Sequence, residues 1–136
     1  MSTKIFLNLP VKDLKKSMAF FNALGWHFNP QFTDETAASL VISDGIYCML
    51  LTHKKFKEFT PKEIPDTSKT AQMFIALSQD SKEAVHKLAD AAVKAGAKEP
   101  KPLQDYGFMM LRTFEDLDGH IWEIFFMDPA HVQPQD

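Results

Sequence analysis

Hydrophobic and polar residues follow strand-like and helix-like periods along this chain, in an order that occurs twice. In the first half, a buried-strand pattern at 5–9 precedes a helical pattern that begins at Asp13, a good N-cap residue, and ends at Gly25. Strand-like segments follow at about residues 26–32, 37–42 and 46–52. The first half therefore predicts a β-α-β-β-β module.

The second half repeats this order with a similar run of residue classes. A strand pattern at 73–77 precedes a helix predicted to begin at Asp80, in a capping-box pattern with Glu83, and to stop at Gly96. Strand-like segments follow at about residues 97–103, 108–113 and 120–126. Each half ends in a hairpin turned by an Asp-Gly pair, Asp44-Gly45 and Asp118-Gly119. The repeat predicts an α+β fold built from two βαβββ modules.

The module boundaries follow from where this periodicity stops. We predict one domain over residues 1–136, with module one at about 3–53 and module two at about 71–129. The segment at about 54–70 contains Pro61 and Pro65 and has little periodicity, so we interpret it as a linker or flap. The polar tail at 130–136 is expected to be loose.

Composition narrows the class of protein. Hydrophobic residues make up 45% and charged residues 24% of the chain, which is ordinary for a globular protein, and the net charge of −3 gives no reason to expect nucleic acid as a partner. No apolar run reaches the roughly 18 residues of a membrane span, so no membrane partner is expected. One cysteine, Cys48, excludes an intrachain disulfide, and the N-terminus lacks a signal-peptide core. We predict a cytoplasmic protein.

Glu123 is the feature that most needs explanation, because it is an acid inside an apolar strand. Strand alternation gives a wholly apolar sheet face, against which we place the helices, and a second face with scattered polar groups. That second face would hold Phe6, Asn8, Tyr47, Met49, Leu51, Phe74, Ala76, Ser78, Ile121, Glu123 and Phe125. Apolar walls with a few polar groups are typical of a ligand cavity, although a core with satisfied polar groups has the same pattern.

The paired modules, the segment VKDLKKSMAFFNALGW (11–26) and the ending DLDGHIWEI (116–124) together resemble the vicinal oxygen chelate superfamily of glyoxalases, bleomycin-resistance proteins and extradiol dioxygenases. The resemblance covers roughly residues 4–129. It implies a cupped, antiparallel-rich mixed sheet over a cavity, and a homodimer. It also implies that metal ligands would stand at Phe6, Met49, Phe74 and Glu123. Only Glu123 can bind the divalent ions that such enzymes use, so no metal site is predicted.

Other polar residues leave alternatives open. The only arginine, Arg112, either holds an anionic ligand group or bonds Glu115, Asp116 or Glu123 to fix the hairpin. His120 is three residues from Glu123, so the two should point to opposite faces, with His120 hydrogen-bonded behind the sheet. Glu123 itself could bind a ligand, pair structurally with Tyr47, Asn8 or Arg112, or act as a general acid or base.

Three functional hypotheses follow. The first is a small-molecule-binding protein of the bleomycin-resistance type, without a cofactor and with Glu123 as the polar anchor or catalytic group of an apolar pocket. The residues predicted to line that pocket are Phe6, Asn8, Tyr47, Met49, Phe74, Arg112, Ile121 and Phe125. The second is a glyoxalase I-like lyase or related enzyme that holds Zn, Ni, Mn or Fe through unusual ligands. The third is a non-catalytic scaffold whose pocket is filled by its own side chains.

Overall fold

The computed structural model describes residues 3–131. The chain divides into two compact units, with the boundary between Asp66 and Thr67, inside the segment expected to be a linker or flap. We call them unit one and unit two. No helix within residues 3–131 is long and apolar enough to cross a membrane.

Unit one contains four strands, two helices and a short 3-10 turn. Its elements are β1 (Ile5–Val11), α1 (Leu14–Ala23), β2 (His27–Asn29), the 3-10 turn Pro30–Phe32, β3 (Ala37–Ser43), β4 (Ile46–Thr52) and α2 (His53–Phe56). The strands form one sheet in the order β1-β4-β3-β2. Strand β1 runs parallel to β4, and the other neighbours are antiparallel.

Unit two repeats this arrangement. Its elements are β5 (Phe74–Ser78), α3 (Lys82–Lys94), β6 (Gln104–Asp105), β7 (Met109–Glu115), β8 (Ile121–Met127) and the 3-10 turn Pro129–His131. The sheet order is β5-β8-β7-β6, with β5 parallel to β8. The predicted α+β fold with a repeated βαβββ order is therefore confirmed. Residues 132–136 of the predicted tail lie outside the described residues.

Helix boundaries follow local capping chemistry. Asp13 caps α1 as predicted, with its carboxylate accepting a hydrogen bond from the Lys16 amide at 3.1 Å. The predicted cap of the second helix is wrong by one residue. Ser81 has the extended backbone of a cap and accepts from the Ala84 amide at 3.0 Å, so Asp80 and Glu83 do not form a capping box.

The predicted strand at 97–103 is also wrong. Only Lys98 forms a β-bridge there, with Glu115, and β6 begins at Gln104. Pro100 and Pro102 have no backbone N–H to give to a ladder, which explains why this segment stays a loop beside the sheet. In unit one, Pro30 similarly ends β2 early and starts a 3-10 turn.

One face of each sheet is buried against a helix. In unit one, Cys48 and Leu50 on β4 are fully buried with Phe21 of α1. In unit two, Trp122 and Ile124 on β8 are fully buried, and α3 packs on β7 and β8. Each such large side chain stabilises the fold by about 1.5–3 kcal/mol. The prediction that the wholly apolar face carries the helices is confirmed for these strands.

Candidate functional site

The opposite face of the unit-one sheet carries the residues expected to line a pocket. Phe6 lies beside Tyr47 across the parallel β1–β4 pair, with ring centroids 4.8 Å apart and an interplanar angle of 12°. The Lys4 ammonium lies 5.9 Å from the centre of the Tyr47 ring. Asn8 and Met49 form the next pair on this face, two residues further along each strand. Phe6 is 55% exposed, so this aromatic pair is an open apolar surface.

The equivalent face of unit two carries Glu123. On it Phe74 pairs with Ile121, and Ser78 with Phe125. Glu123 is half-buried between Ala76 on β5 and Thr113 on β7. Phe74 is 60% exposed. Strand register therefore brings Phe74, Ile121, Glu123 and Phe125 to one face, as alternation predicts, and their use as a pocket remains a prediction.

Only one of the four positions expected to hold a metal carries a good ligand for the ions that such enzymes use. Phe6 and Phe74 have no donor atoms, and the Met49 thioether is a poor ligand for Zn, Ni, Mn or Fe. Glu123 alone provides oxygen donors. Within residues 3–131, no group of three or more His, Cys, Asp or Glu side chains is arranged to hold a metal ion. The donor set does not fit the metal site that the resemblance implies.

Arg112 lies on the other side of the sheet, so its predicted place in the pocket with Glu123 is wrong. Arg112 pairs with Ile124 of β8, on the face of the sheet that packs on α3. The residue that pairs with Glu123 is Thr113, on the opposite face. The Arg112 guanidinium donates to both oxygens of Glu99, at 2.9 and 3.1 Å, and to Asp90 at 2.7 Å. The expected partners Glu115, Asp116 and Glu123 are not among these. Hydrogen bonds to Glu99, against the effect of burial, raise the pKa of Arg112.

Asp116 is a buried carboxylate whose role sequence reasoning missed. One oxygen accepts hydrogen bonds from the amides of Asp118 and His120, at 2.9 and 3.0 Å, and the other accepts from the Trp122 indole at 3.0 Å. Burial raises the pKa of Asp116, although these donors and the charge of His120 act in the opposite direction. The motif DLDGHIW contains all the residues of this network. An acid two residues before an Asp-Gly turn was the available signal.

The second Asp-Gly turn is also held from outside the hairpin. The Thr67 hydroxyl donates to the Asp118 carbonyl. Gly119 has φ +86°, and a Cβ at this position would collide with the Thr67 backbone. His120 directly precedes β8 rather than lying within it, and its half-buried side chain is near Asp116. The end of the predicted linker thus fixes the hairpin that presents Glu123.

Comparison with known proteins places these features in a family. The model of the Glyoxalase/Bleomycin resistance protein/Dioxygenase superfamily matches residues 5–124. The hypothetical protein SA1046 from S. aureus is similar in structure, with a TM-score of 0.77 and 26% identity over 93% of this chain and 95% of that one. No curated protein matches the chain.

Two further solved structures share the fold at lower identity. A glyoxalase/bleomycin resistance protein/dioxygenase family enzyme from Burkholderia phytofirmans PsJN has a TM-score of 0.78 and 17% identity, over 93% of this chain and 99% of that one. The fosfomycin resistance protein FosX from Mesorhizobium loti has a TM-score of 0.70 and 14% identity, over 96% of both chains.

Proposed function

This chain belongs to the Glyoxalase/Bleomycin resistance protein/Dioxygenase superfamily, and we propose that it binds a small, mostly apolar molecule without the superfamily's metal site. The observation that carries this proposal is the open apolar face in unit two, where Glu123 lies on the same face as exposed Phe74 and half-buried Phe125. A second acid, Glu115, lies on this face beside Ile121, at the hairpin end of the strands. Contiguous apolar surface that stays exposed marks interaction sites, and ligand-binding grooves are one class of these.

Glu123 would orient the ligand in this proposal. A carboxylate accepts hydrogen bonds only, so the complementary group on the ligand is a hydroxyl, an amine or another cation. Thr113, across the strand pair from Glu123, has a hydroxyl that can both donate and accept. Apolar walls with a few polar groups that fix orientation are the usual composition of a small-molecule site.

The equivalent face of unit one supports the same class of ligand. Phe6 and Tyr47 form a stacked aromatic pair, and Asn8 and Met49 occupy the positions of Ala76 and Glu123. The flat ring surfaces suit a planar or hydrophobic ligand. Neither Asn8 nor Met49 carries a charge, so the unit-one face has no acid at the position that Glu123 occupies in unit two.

A thermal-shift screen with and without EDTA tests the proposal. We expect hits among apolar amines and alcohols, with the same increase in Tm in both buffers. Glu123→Gln should lose these shifts, because the amide lacks the negative charge, whereas the exposed control Glu35→Gln should keep them. Hits that survive Glu123→Gln unchanged, or a panel without any hit, would contradict the proposal.

The second candidate is a metalloenzyme with unusual ligands, which the retained Glu123 favours. In that case Glu123 would be the sole retained ligand of a divalent ion, or the general base of a lyase. Metal analysis of the purified protein separates the two candidates. A stoichiometric Zn, Ni, Mn or Fe ion that is lost in Glu123→Gln would replace the binding proposal.

Two further parts of the proposal concern the protein's state in the cell. We propose a homodimer in the cytoplasm, on the basis of family resemblance and a single, buried cysteine. Light scattering after size-exclusion chromatography tests the dimer, since a mass of about one chain at micromolar concentration would contradict it.

A further inference from the structure

A cleft lies on the helix side of the unit-two sheet, away from the face that carries Glu123. It has a volume of about 450 Å³ and is lined by residues 99–103, His86 of α3 and Arg112 of β7. A volume of this size falls within the roughly 300–1,000 Å³ range of small-molecule sites. Strand alternation separates it from the other face, because Arg112 and Thr113 point to opposite sides of β7.

The floor of this cleft is a fixed charged network. The Arg112 side chain is only 10% exposed, and four of its contacts hold it in place: two to Glu99, one to Asp90 and one of 3.1 Å to His86 Nδ1. A guanidinium has five N–H groups and never accepts a hydrogen bond. His86 Nδ1 must therefore be the acceptor, which leaves the ring proton on Nε2.

Several side-chain hydrogen-bond donors line this cleft. One Arg112 N–H has no partner among residues 3–131, and the His86 Nε2–H is a donor. Within the same residues, Lys101 forms no ion pair or hydrogen bond, so its ammonium adds three more donors. Glu99 already accepts twice from Arg112. A ligand that pairs with these donors has to bring acceptors.

Charge and shape narrow the class of ligand further. Glu99 and Asp90 both pair with Arg112, which leaves Lys101 as the lining cation that has no ion pair within residues 3–131. The loop adds apolar surface from two prolines and from Leu103, which is 43% exposed. The prolines restrict the backbone of this wall. Positive charge at one end and a stiff apolar wall suit an anion with a hydrophobic body.

We propose that this cleft is a second binding site, selective for small carboxylates that carry an aromatic or aliphatic body. The carboxylate would contact Lys101 and the His86 Nε2–H, and the apolar body would lie along Leu103. This site is independent of the function proposed for the Glu123 face.

Titration followed by ¹⁵N amide shifts tests the site, with 3-phenylpropionate as the probe and its neutral amide as the matched compound. We expect saturable shifts at residues 99, 101 and 103 and at His86 and Arg112, with a Kd in the low-millimolar range usual for about ten non-hydrogen atoms. The amide should bind at least about fivefold more weakly, because it lacks the charge that Lys101 attracts.

Variants make the test specific. Lys101→Glu replaces this lining cation by an anion, so it should weaken 3-phenylpropionate binding about tenfold. Lys87→Glu, on an exposed part of α3, should leave the affinity unchanged. Leu103→Ala should weaken it severalfold without a change in the preference for the acid. Glu123→Gln should have no effect.

Three results would overturn the proposal. They are equal affinity for the acid and the amide, wild-type affinity in Lys101→Glu, and shifts that map to residues outside the cleft. Each can be distinguished from failure of the Glu123 proposal, because Glu123→Gln serves as an internal control in the same titration.

Discussion

The strongest quantitative expectation concerns Asp116, whose carboxylate organises the hairpin that carries Glu123. Asp116→Asn preserves the shape of the side chain but replaces one acceptor oxygen by a donor amide. One oxygen of Asp116 faces the Trp122 indole N–H, and the other faces the amides of Asp118 and His120. In either orientation, the new NH₂ group meets at least one N–H donor.

The magnitude follows from the burial of these donors. Trp122 is fully buried, so water cannot replace the lost acceptor, and an unsatisfied buried donor costs about 1–3 kcal/mol. The new amide N–H adds a similar cost, which partial exposure of the turn reduces. Relief of the buried negative charge offsets part of the total. We expect Asp116→Asn to lower the free energy of unfolding by about 2–4 kcal/mol.

The effect should depend on pH in a defined direction. Burial raises the pKa of Asp116 in the folded state above its unfolded value. The folded protein then binds more protons between the two values, so the contribution of Asp116 to stability falls as pH rises through that window. Asp116→Asn lacks this titration, and its deficit relative to wild type should therefore be largest at low pH and smaller at neutral pH.

Urea unfolding in a double-mutant cycle measures the interaction. In a Trp122→Phe background the indole N–H is absent, so Asp116→Asn should cost about 1–2 kcal/mol less than in wild type. Asp44→Asn, in the exposed equivalent turn of unit one, is the control and should change stability by less than about 0.5 kcal/mol. Equal costs in both Trp122 backgrounds would refute this account of the hairpin.

Three other substitutions separate neighbouring effects, each measured by urea unfolding. Gly119→Ala should lower the free energy of unfolding by about 2–4 kcal/mol, and Gly45→Ala by only about 1–2 kcal/mol. Both glycines have nearly the same positive φ, +86° and +87°, but a Cβ would strike the Thr67 backbone only at Gly119. Equal losses in the two variants would contradict this clash. Arg112→Lys should cost about 1–3 kcal/mol, since an ammonium cannot make the two-pronged contact with Glu99, and a neutral result would show that the network does not stabilise the fold. Glu123→Gln should change stability by less than about 0.5 kcal/mol, whereas a loss of about 3–5 would indicate a buried ion pair.

Strand alternation and turn chemistry allowed much of the fold to be predicted. The Asp-Gly turns and the period-2 patterns located β4 to the residue and β8 to within one residue. The strand predicted at 97–103 was wrong, because Pro100 and Pro102 cannot join a ladder. These two prolines were the signal in the sequence that argues against a strand at 97–103.

The candidate site was only partly predictable for a different reason. Alternation within one strand placed Glu123, but Arg112 needed the register between two strands. Counting equal steps from the turn at Asp118 pairs Thr113 with Glu123 and leaves Arg112 on the other face. Its partners Asp90 and Glu99 lie 22 and 13 residues away along the chain. Such contacts depend on how α3 packs, which no local pattern contains.

The two halves share a backbone plan but not their chemistry. Counted from the Asp-Gly turns, Arg112, Asp116 and Glu123 of unit two correspond to Ala38, Ile42 and Met49 of unit one. The three charged groups at these positions therefore belong to unit two, and unit one has apolar residues in their place.

From this asymmetry we expect ligand selectivity to depend on unit two. Met49→Glu would give unit one a carboxylate at the position of Glu123, between Asn8 and Ser39 instead of Ala76 and Thr113. We expect Met49→Glu combined with Glu123→Gln to leave the ligand shifts lost, because unit one has neither the buried acid nor the pinned turn that hold the hairpin of Glu123. Recovery of binding in that double variant would show that any acid on either face suffices.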